Sequence, residues 1–218
     1  MENKKIKRSC IDCAVINCDH EDKMYPDFCP TTELLDAEKS CKDGCMSGIM
    51  QLYIDDAENF EVTRASAEVE YENYCRMTRL EEIAEFAKKM GAKKLGIATC
   101  VGLIAEAGAA AKYYRYKGFE VYGIGCKAGA VSKSFVGLED KLEEVGKNMC
   151  NPILQAKLLN REETDLNIVI GLCVGHDSLF YKYSDALCTT LVTKDRVLGH
   201  NPVAALYQLN TYYSKLMK

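Results

Sequence analysis

At 218 residues, 48% hydrophobic and 28% charged, with a formal net charge of −4, the chain is long enough to bury one ordinary core and falls outside the disordered class. Its 28 Lys and Arg are scattered among 32 Asp and Glu, so no basic stripe is available to gather the phosphates of nucleic acid. The longest near-apolar run, residues 95–110, is broken by Thr99, Cys100 and Glu106 and is too short to cross a membrane.

The basic start, Met1 to Arg8, leads into cysteines and not into an apolar stretch, so no signal peptide is expected and the expected compartment is the cytoplasm. Cysteine is the outlying residue type: twelve of them, with no Trp and three His. In a reducing compartment, clustered thiols bind metal or do chemistry in preference to pairing as disulfides.

Residues 1–50 hold six cysteines, at positions 10, 13, 18, 29, 41 and 45, with little hydrophobic periodicity, and are read as a cysteine-rich metal-binding segment. Residues 51–218 are read as an α/β domain that opens with a helical region over 54–90. In that region Ile83, Phe86, Ala87 and Met90 recur at helical spacing, and Gly91 closes it. Short apolar runs then alternate with helices: a strand over 93–98, an alanine-rich helix over 101–117 ended by Gly118, and a strand over 119–124. A loop of some 25 residues follows, long enough to expect a functional role. Next come a helix over 152–160, a strand over 167–171, a helical turn over 177–183, a strand over 189–193 and a last helix from Pro202 to about Leu216. The alternation predicts a parallel sheet of about four strands with right-handed crossovers and flanking helices.

Two groups of cysteines carry the chemistry. The first is Cys10-x2-Cys13-x4-Cys18-x10-Cys29-Pro30: four thiols in a stretch too polar to fold alone, which gains structure by closing around a metal. A [4Fe-4S] cluster is favoured by the unequal spacing and the proline after the last cysteine. Zinc is the alternative, although its usual pair of C-x2-C knuckles is here a single one. His20 is a spare ligand for zinc or a surface residue. The second group appears only once the strands are placed. Cys100, Cys126 and Cys173 each stand just past the carboxyl end of a predicted strand, 26 and 47 residues apart, where ligand sites of open parallel sheets form.

Three thiolates leave one iron of a cluster open to a small-molecule substrate, whereas a fourth closes it for electron transfer or structure; Cys150 and Cys75 are the candidates for that fourth ligand. His176, Asp177 and Ser178 fall at a helix start on the same edge. Ser178 and Asp177 also have a plain explanation in helix capping; the candidate catalytic residues are His176, as proton carrier, Asp177 and Arg196. Arg196 and His200 follow the fourth strand and reach the same edge, unless the run from Asp195 is only a turn. Cys41, Cys45 and Cys188 fit no quartet and are read as free thiols.

Several long strings resemble a cysteine-rich family to which metal binding is ascribed, catalogued as domain of unknown function 1847 and found in anaerobic bacteria and archaea. They are Cys10-x2-Cys13 with Tyr25-Pro-Asp-Phe-Cys29-Pro30, Gly96-Ile-Ala-Thr-Cys-Val-Gly102, Cys150-Asn-Pro-Ile153, Gly171-Leu-Cys-Val-Gly-His-Asp-Ser-Leu-Phe180, and Lys194-Asp-Arg-Val-Leu-Gly-His-Asn-Pro-Val-Ala-Ala205. The resemblance covers nearly the whole chain and implies metal without implying a reaction. The function expected is therefore an iron-sulfur protein, possessing one or two [4Fe-4S] clusters and acting on a small molecule or an electron donor by desulfuration, dehydration or redox transfer. The alternative is a non-catalytic zinc protein with a structural, storage or interaction role.

Overall fold

The computed structural model describes residues 7–20, 23–32 and 46–217, so Cys41 and Cys45 lie outside the described residues. The chain separates into two compact units, residues 1–64 and 65–218. In the first, a short 3-10 turn at Cys10–Asp12 and a helical turn at Asn17–His20 precede helix α1 (Met46–Asp55). Helix α2 (Ala57–Asn73) contains the boundary.

The expected helical region is interrupted twice. Asp56 separates α1 from α2, and its carboxylate accepts the Asn59 amide at 3.0 Å, which starts the next helix. Cys75, at φ +56°, then turns the chain before α3 (Arg79–Lys89). Helix α3 begins with a capping box in which Glu81 accepts from the Thr78 amide at 2.8 Å. Lys88 and Lys89 sit in its last turn, where they complement the helix dipole, and Gly91 at φ +73° ends it as expected.

The second unit is α/β, with a four-stranded, all-parallel sheet and flanking helices. Its elements are β1 (Lys94–Thr99), α4 (Ile104–Tyr116), β2 (Glu120–Gly125), α5 (Pro152–Arg161), β3 (Leu166–Ile170), α6 (His176–Tyr183) and β4 (Leu187–Val192). The strand order is β2-β1-β3-β4, and every pairing is parallel. Central strands β1 and β3 are buried almost throughout, as continuous apolar runs in parallel sheets require.

Alternate residues divide the core. Leu95, Ile97, Ile168 and Ile170 pack with Ile83 and Ala87 of α3 and with Ala107, Ala110 and Tyr114 of α4. On the other face, Ala98, Ile124 and Val169 pack with Ala156 and Leu159 of α5 and with Phe180 of α6. Each fully buried Leu or Ile contributes about 1.5–3 kcal/mol through burial alone, which makes this sandwich the rigid part of the molecule.

The sheet begins at β1, adds β2 on one side, then returns to add β3 on the other. The crevice at the carboxyl ends of β1 and β3 is therefore a topological switch point, the standard ligand position in such sheets. The long segment after β2 contains two 3-10 turns, Ser134–Val136 and Asp140–Val145, and is pinned at its base by an antiparallel bridge between Ser132 and Asn148.

The last helix is shorter than its sequence suggests. Helix α7 covers only Val203–Tyr207, because Thr211 bonds back to Gln208 through both its carbonyl and its side chain, at 3.3 and 2.6 Å, and the chain breaks into turns. A 3-10 turn at Ser214–Met217 follows. Among the described residues no helix is long and apolar enough to cross a membrane.

Candidate metal centre

Each strand of the sheet delivers a functional group to its carboxyl edge. Cys100 follows β1, and its amide bonds to the Ile170 carbonyl at 3.1 Å, tying β1 to β3 at the switch point. Its sulfur accepts from the Gly102 amide at 3.4 Å and from Lys194 Nζ at 3.5 Å. Cys126 follows β2, is 3% exposed, and accepts from the Val101 amide at 3.4 Å. Cys173 follows β3 and accepts a charge-assisted bond of 2.8 Å from Arg196 Nη2 beyond β4. Gly171, at φ +63°, lets the chain turn between β3 and Cys173 with its Cα against Leu103, a conformation an L side chain rarely adopts.

Cys150 enters from the long segment after β2. The amide of the next residue, Asn151, bonds to the Cys126 carbonyl at 2.8 Å, and the Asn151 side chain caps α5 by accepting from Leu154 at 3.1 Å. Buried Gln155, one turn on, donates to the carbonyls of Thr99 and Ile124 at 3.1 and 2.7 Å, so α5 is fastened directly to the ends of β1 and β2. His176 opens α6, three residues after Cys173, where its amide and that of Asp177 close on the Cys173 carbonyl at 2.9 and 3.2 Å.

Cys150, Cys173 and His176 form the tightest set: one ligand atom from each lies within 4.8 Å of the others, and no other such trio of His, Cys, Asp or Glu occurs among the described residues. His176 Nδ1 is buried yet has no hydrogen-bond partner among the described residues. A buried ring nitrogen without a partner is costly unless something else binds it. Two thiols and an imidazole at this spacing suit a metal by donor type.

Electrostatics reinforce the site. The Cys126 thiol donates toward the Cys150 sulfur and, with Lys127 and His176 nearby, lowers Cys150 to about 5 from the ordinary thiol value. The same contact, together with burial, raises Cys126. Cys173 keeps the Arg196 guanidinium firmly protonated, with Cys100 and Cys150 adding to the effect. Four thiols from four segments thus share the edge with three cations, Lys127, Lys194 and Arg196.

The other sequence candidates are placed as follows. Asp177 is half-buried, and its carboxylate accepts from the adjacent Ser178 amide at 2.8 Å, the local bond expected at a helix start. His200, at φ +66°, accepts the Asp195 amide on Nδ1 at 3.1 Å, while Asp195 caps the amides of Val197 and Leu198, so 195–200 forms a tight turn that presents Arg196. Cys75 is exposed in the turn before α3. Cys188 lies in β4, where burial raises its thiol. Lys127 and Gln155 had no sequence motif to mark them; Gln155 could have been noticed as a polar residue on the apolar stripe of Pro152, Ala156 and Leu159.

In the first unit, Cys10, Cys13, Cys18 and Cys29 all line one cavity of about 290 Å³, walled also by Tyr25 and Phe28. Cys13 accepts the Ile16 amide at 3.5 Å, and donors from Thr31 and Thr32 lower Cys29. His20 ends the helical turn beside Cys18.

The profile of the family described as "Protein of unknown function (DUF1847)" matches residues 37–191. The chain belongs to this family. It is also 46% identical, over 177 residues, to the uncharacterized protein MJ0455 of Methanocaldococcus jannaschii, an alignment that takes in 81% of this chain and 90% of that protein. The family match therefore spans β1 to β3, all but the last residue of β4 and the segment that brings in Cys150, and the family is the one the sequence resembles. With twelve cysteines and a possible metal site at Cys150, Cys173 and His176, this DUF1847 protein is cysteine-rich where its fold gathers ligands.

Proposed function

We propose that this DUF1847 protein is a metal-dependent protein of a reducing, cytoplasmic compartment, whose strand-edge centre is an iron-sulfur cluster that acts on a small molecule or passes electrons to one. The observation that carries the reading is the partnerless, buried Nδ1 of His176 beside the sulfurs of Cys150 and Cys173 at the switch point. Cys100 and Cys126 stand next to that set, giving more thiols than a single ion needs. A polynuclear cluster spreads its thiolates over separate irons and uses a wider ring of donors. Amide donors to Cys100 and Cys126 and cations on Cys100 and Cys173 are the interactions that tune such clusters.

When bound, the cluster would supply electrons where Cys150 or His176 completes its ligands, and Lewis acidity where one iron is left without a protein ligand, which is the chemistry of redox transfer, desulfuration or dehydration. The chain's own residues do the rest. His176 either ligates through Nδ1 or holds a proton at that atom, and Arg196, exposed at the rim, orients an anionic group. Asp177, occupied with the Ser178 amide, orients the helix start that carries His176.

The tight Cys150, Cys173 and His176 set also favours a second reading, a single zinc ion with an open fourth position or a non-catalytic structural zinc. Anaerobic purification separates the two. Broad absorption near ~400 nm with matching iron and sulfide supports the cluster, whereas colourless protein containing zinc supports the ion. Protein that takes up neither metal, with Cys150→Ser and Cys173→Ser indistinguishable from the parent in metal content, overturns both.

Cys10, Cys13, Cys18 and Cys29 line one cavity and would hold a separate centre, a second [4Fe-4S] cluster or zinc, by drawing together: no three of their sulfurs lie within 4.8 Å of one another in the structure. Cys13→Ser should release this centre alone, leaving the strand-edge metal in place and making residues 1–50 susceptible to protease. Unchanged metal content in that variant would remove the second centre.

A further inference from the structure

Cys126 and Cys150 are placed as a pair independently of any metal. The Asn151 amide on the Cys126 carbonyl, at 2.8 Å, holds the two backbone segments side by side, and the Cys126 amide is itself fixed to Thr99 at 2.8 Å. Cys150 packs against the buried cluster that contains Cys126. Their surroundings differ: Cys150 is half-buried and open to small solutes, whereas Cys126 is 3% exposed. Cys150 belongs to the close trio with Cys173 and His176, and Cys126 does not.

We propose that Cys126 and Cys150 form a reversible disulfide in response to hydroperoxides, and that this bond withdraws Cys150 from the metal centre. The consequence for metal rests on the function proposed above; the disulfide itself does not. In the first step the Cys150 thiolate attacks the terminal oxygen of a hydroperoxide, the O–O bond breaks, Cys150 becomes the sulfenic acid, and the departing alkoxide or hydroxide takes a proton from water. In the second, the Cys126 sulfur attacks the Cys150 sulfur, the S–O bond breaks, and hydroxide leaves as water with the Cys126 proton. A dithiol returns both cysteines to thiols by two exchange steps. A sulfur engaged in a disulfide is a poor metal ligand, so metal and disulfide exclude one another at Cys150.

The test uses the full chain, stripped of metal by a chelator, reduced, and then exposed to stoichiometric hydrogen peroxide before thiols are trapped with N-ethylmaleimide. The expected product is a Cys126–Cys150 linked peptide, two hydrogens lighter than the free pair and abolished by dithiothreitol. Cys126→Ser should leave Cys150 as the sulfenic acid, trapped with dimedone, and carry it to the sulfinic acid only under excess peroxide, while Cys150→Ser should leave Cys126 reduced. Recovery of both cysteines as maleimide adducts, or a bond from Cys150 to Cys173 instead, overturns the pair. Oxidised protein should bind iron or zinc at the strand edge at least about tenfold more weakly than reduced protein, with recovery on reduction. Equal binding overturns the withdrawal of Cys150. A disulfide in protein that binds no metal in either state would sink the metal reading and leave the pair standing, and metal binding without any disulfide would do the reverse.

Discussion

Arg196 places a guanidinium nitrogen 2.8 Å from the sulfur of Cys173, linking the turn after β4 to the end of β3. The sulfur sits against a full positive charge, and Cys173 in turn helps keep the guanidinium protonated. Asp195 makes this geometry possible by capping two amides of the turn, so that Arg196 projects toward the edge at little cost in entropy. Arg196→Gln should leave the fold intact and weaken strand-edge metal binding by about 10–100-fold, the usual effect of losing a partner that orients a ligand. Chelator competition against purified protein measures it. Affinity equal to that of the parent would reduce the Arg196–Cys173 contact to a surface bond.

His176 has two possible roles, and one substitution separates them. Gln preserves size and hydrogen bonding but is a poor ligand and cannot change protonation near neutral pH. Because Nδ1 is buried and without a partner beside Cys150 and Cys173, His176→Gln is expected to lose strand-edge metal by more than about tenfold in affinity while far-UV circular dichroism is unchanged. Full metal content in the variant would make His176 a proton carrier and not a ligand.

The shared edge was legible because parallel strands end alike, but the close trio at that edge is Cys150, Cys173 and His176 and not the three strand-end cysteines. Cys100, Cys126 and Cys173 each terminate an apolar run, and once the runs are strands their ends share a side. Cys150 was legible only as an alternative, since its position depends on backbone bonds that flank it, Met149 to Val131 and Asn151 to Cys126, across a long segment with no periodicity. Lys127 had no pattern to betray it, because a lysine becomes a thiolate partner only through the loop that folds beside it. The last helix was overestimated because apolar spacing beyond Pro202 continues through Leu209 and Tyr213. Local bonds from Thr211 to Gln208 outcompete the helix there, and such competition leaves no periodic trace.

Gly96 tests how closely the sheet must approach α5. A Cβ at this central β1 position would lie 1.9 Å from Asn167 Oδ1 and 3.0 Å from Leu159 Cδ1. Asn167 cannot simply swing aside: its Oδ1 accepts from Thr164 and its Nδ2 donates to Ser184, both at 2.8 Å, within a fully buried site. Gly96→Ala should therefore destabilise the protein by about 1–3 kcal/mol in urea unfolding. Gly108→Ala is the opposite control, since a Cβ there meets nothing within 4 Å on an alanine-rich helix. It should stabilise by about 0.5–1 kcal/mol. Equal effects of the two substitutions would mean that the sheet relaxes around Gly96.

The lowered thiol of Cys150 gives a prediction in pH. With Cys126 donating and Lys127 and His176 nearby, Cys150 drops to about 5, whereas an ordinary thiol ionises near 8.5. In metal-free protein at pH 6.5, iodoacetamide should thus modify Cys150 well before Cys100 or Cys188, and the rate should fall only as pH drops through about 5. Peptide-resolved mass spectrometry is needed, because Cys29 is also lowered by its Thr31 and Thr32 donors. Removing a group that favours the thiolate raises the value, so the midpoint of the rate profile moves to higher pH in both Lys127→Met and Cys126→Ala. The shift should be larger for Cys126→Ala, since Cys126 is the largest influence lowering Cys150. A Cys150 profile centred near 8.5 in the parent, or one unmoved by Cys126→Ala, would show that the two sulfurs do not share a proton and that the edge carries its thiols independently.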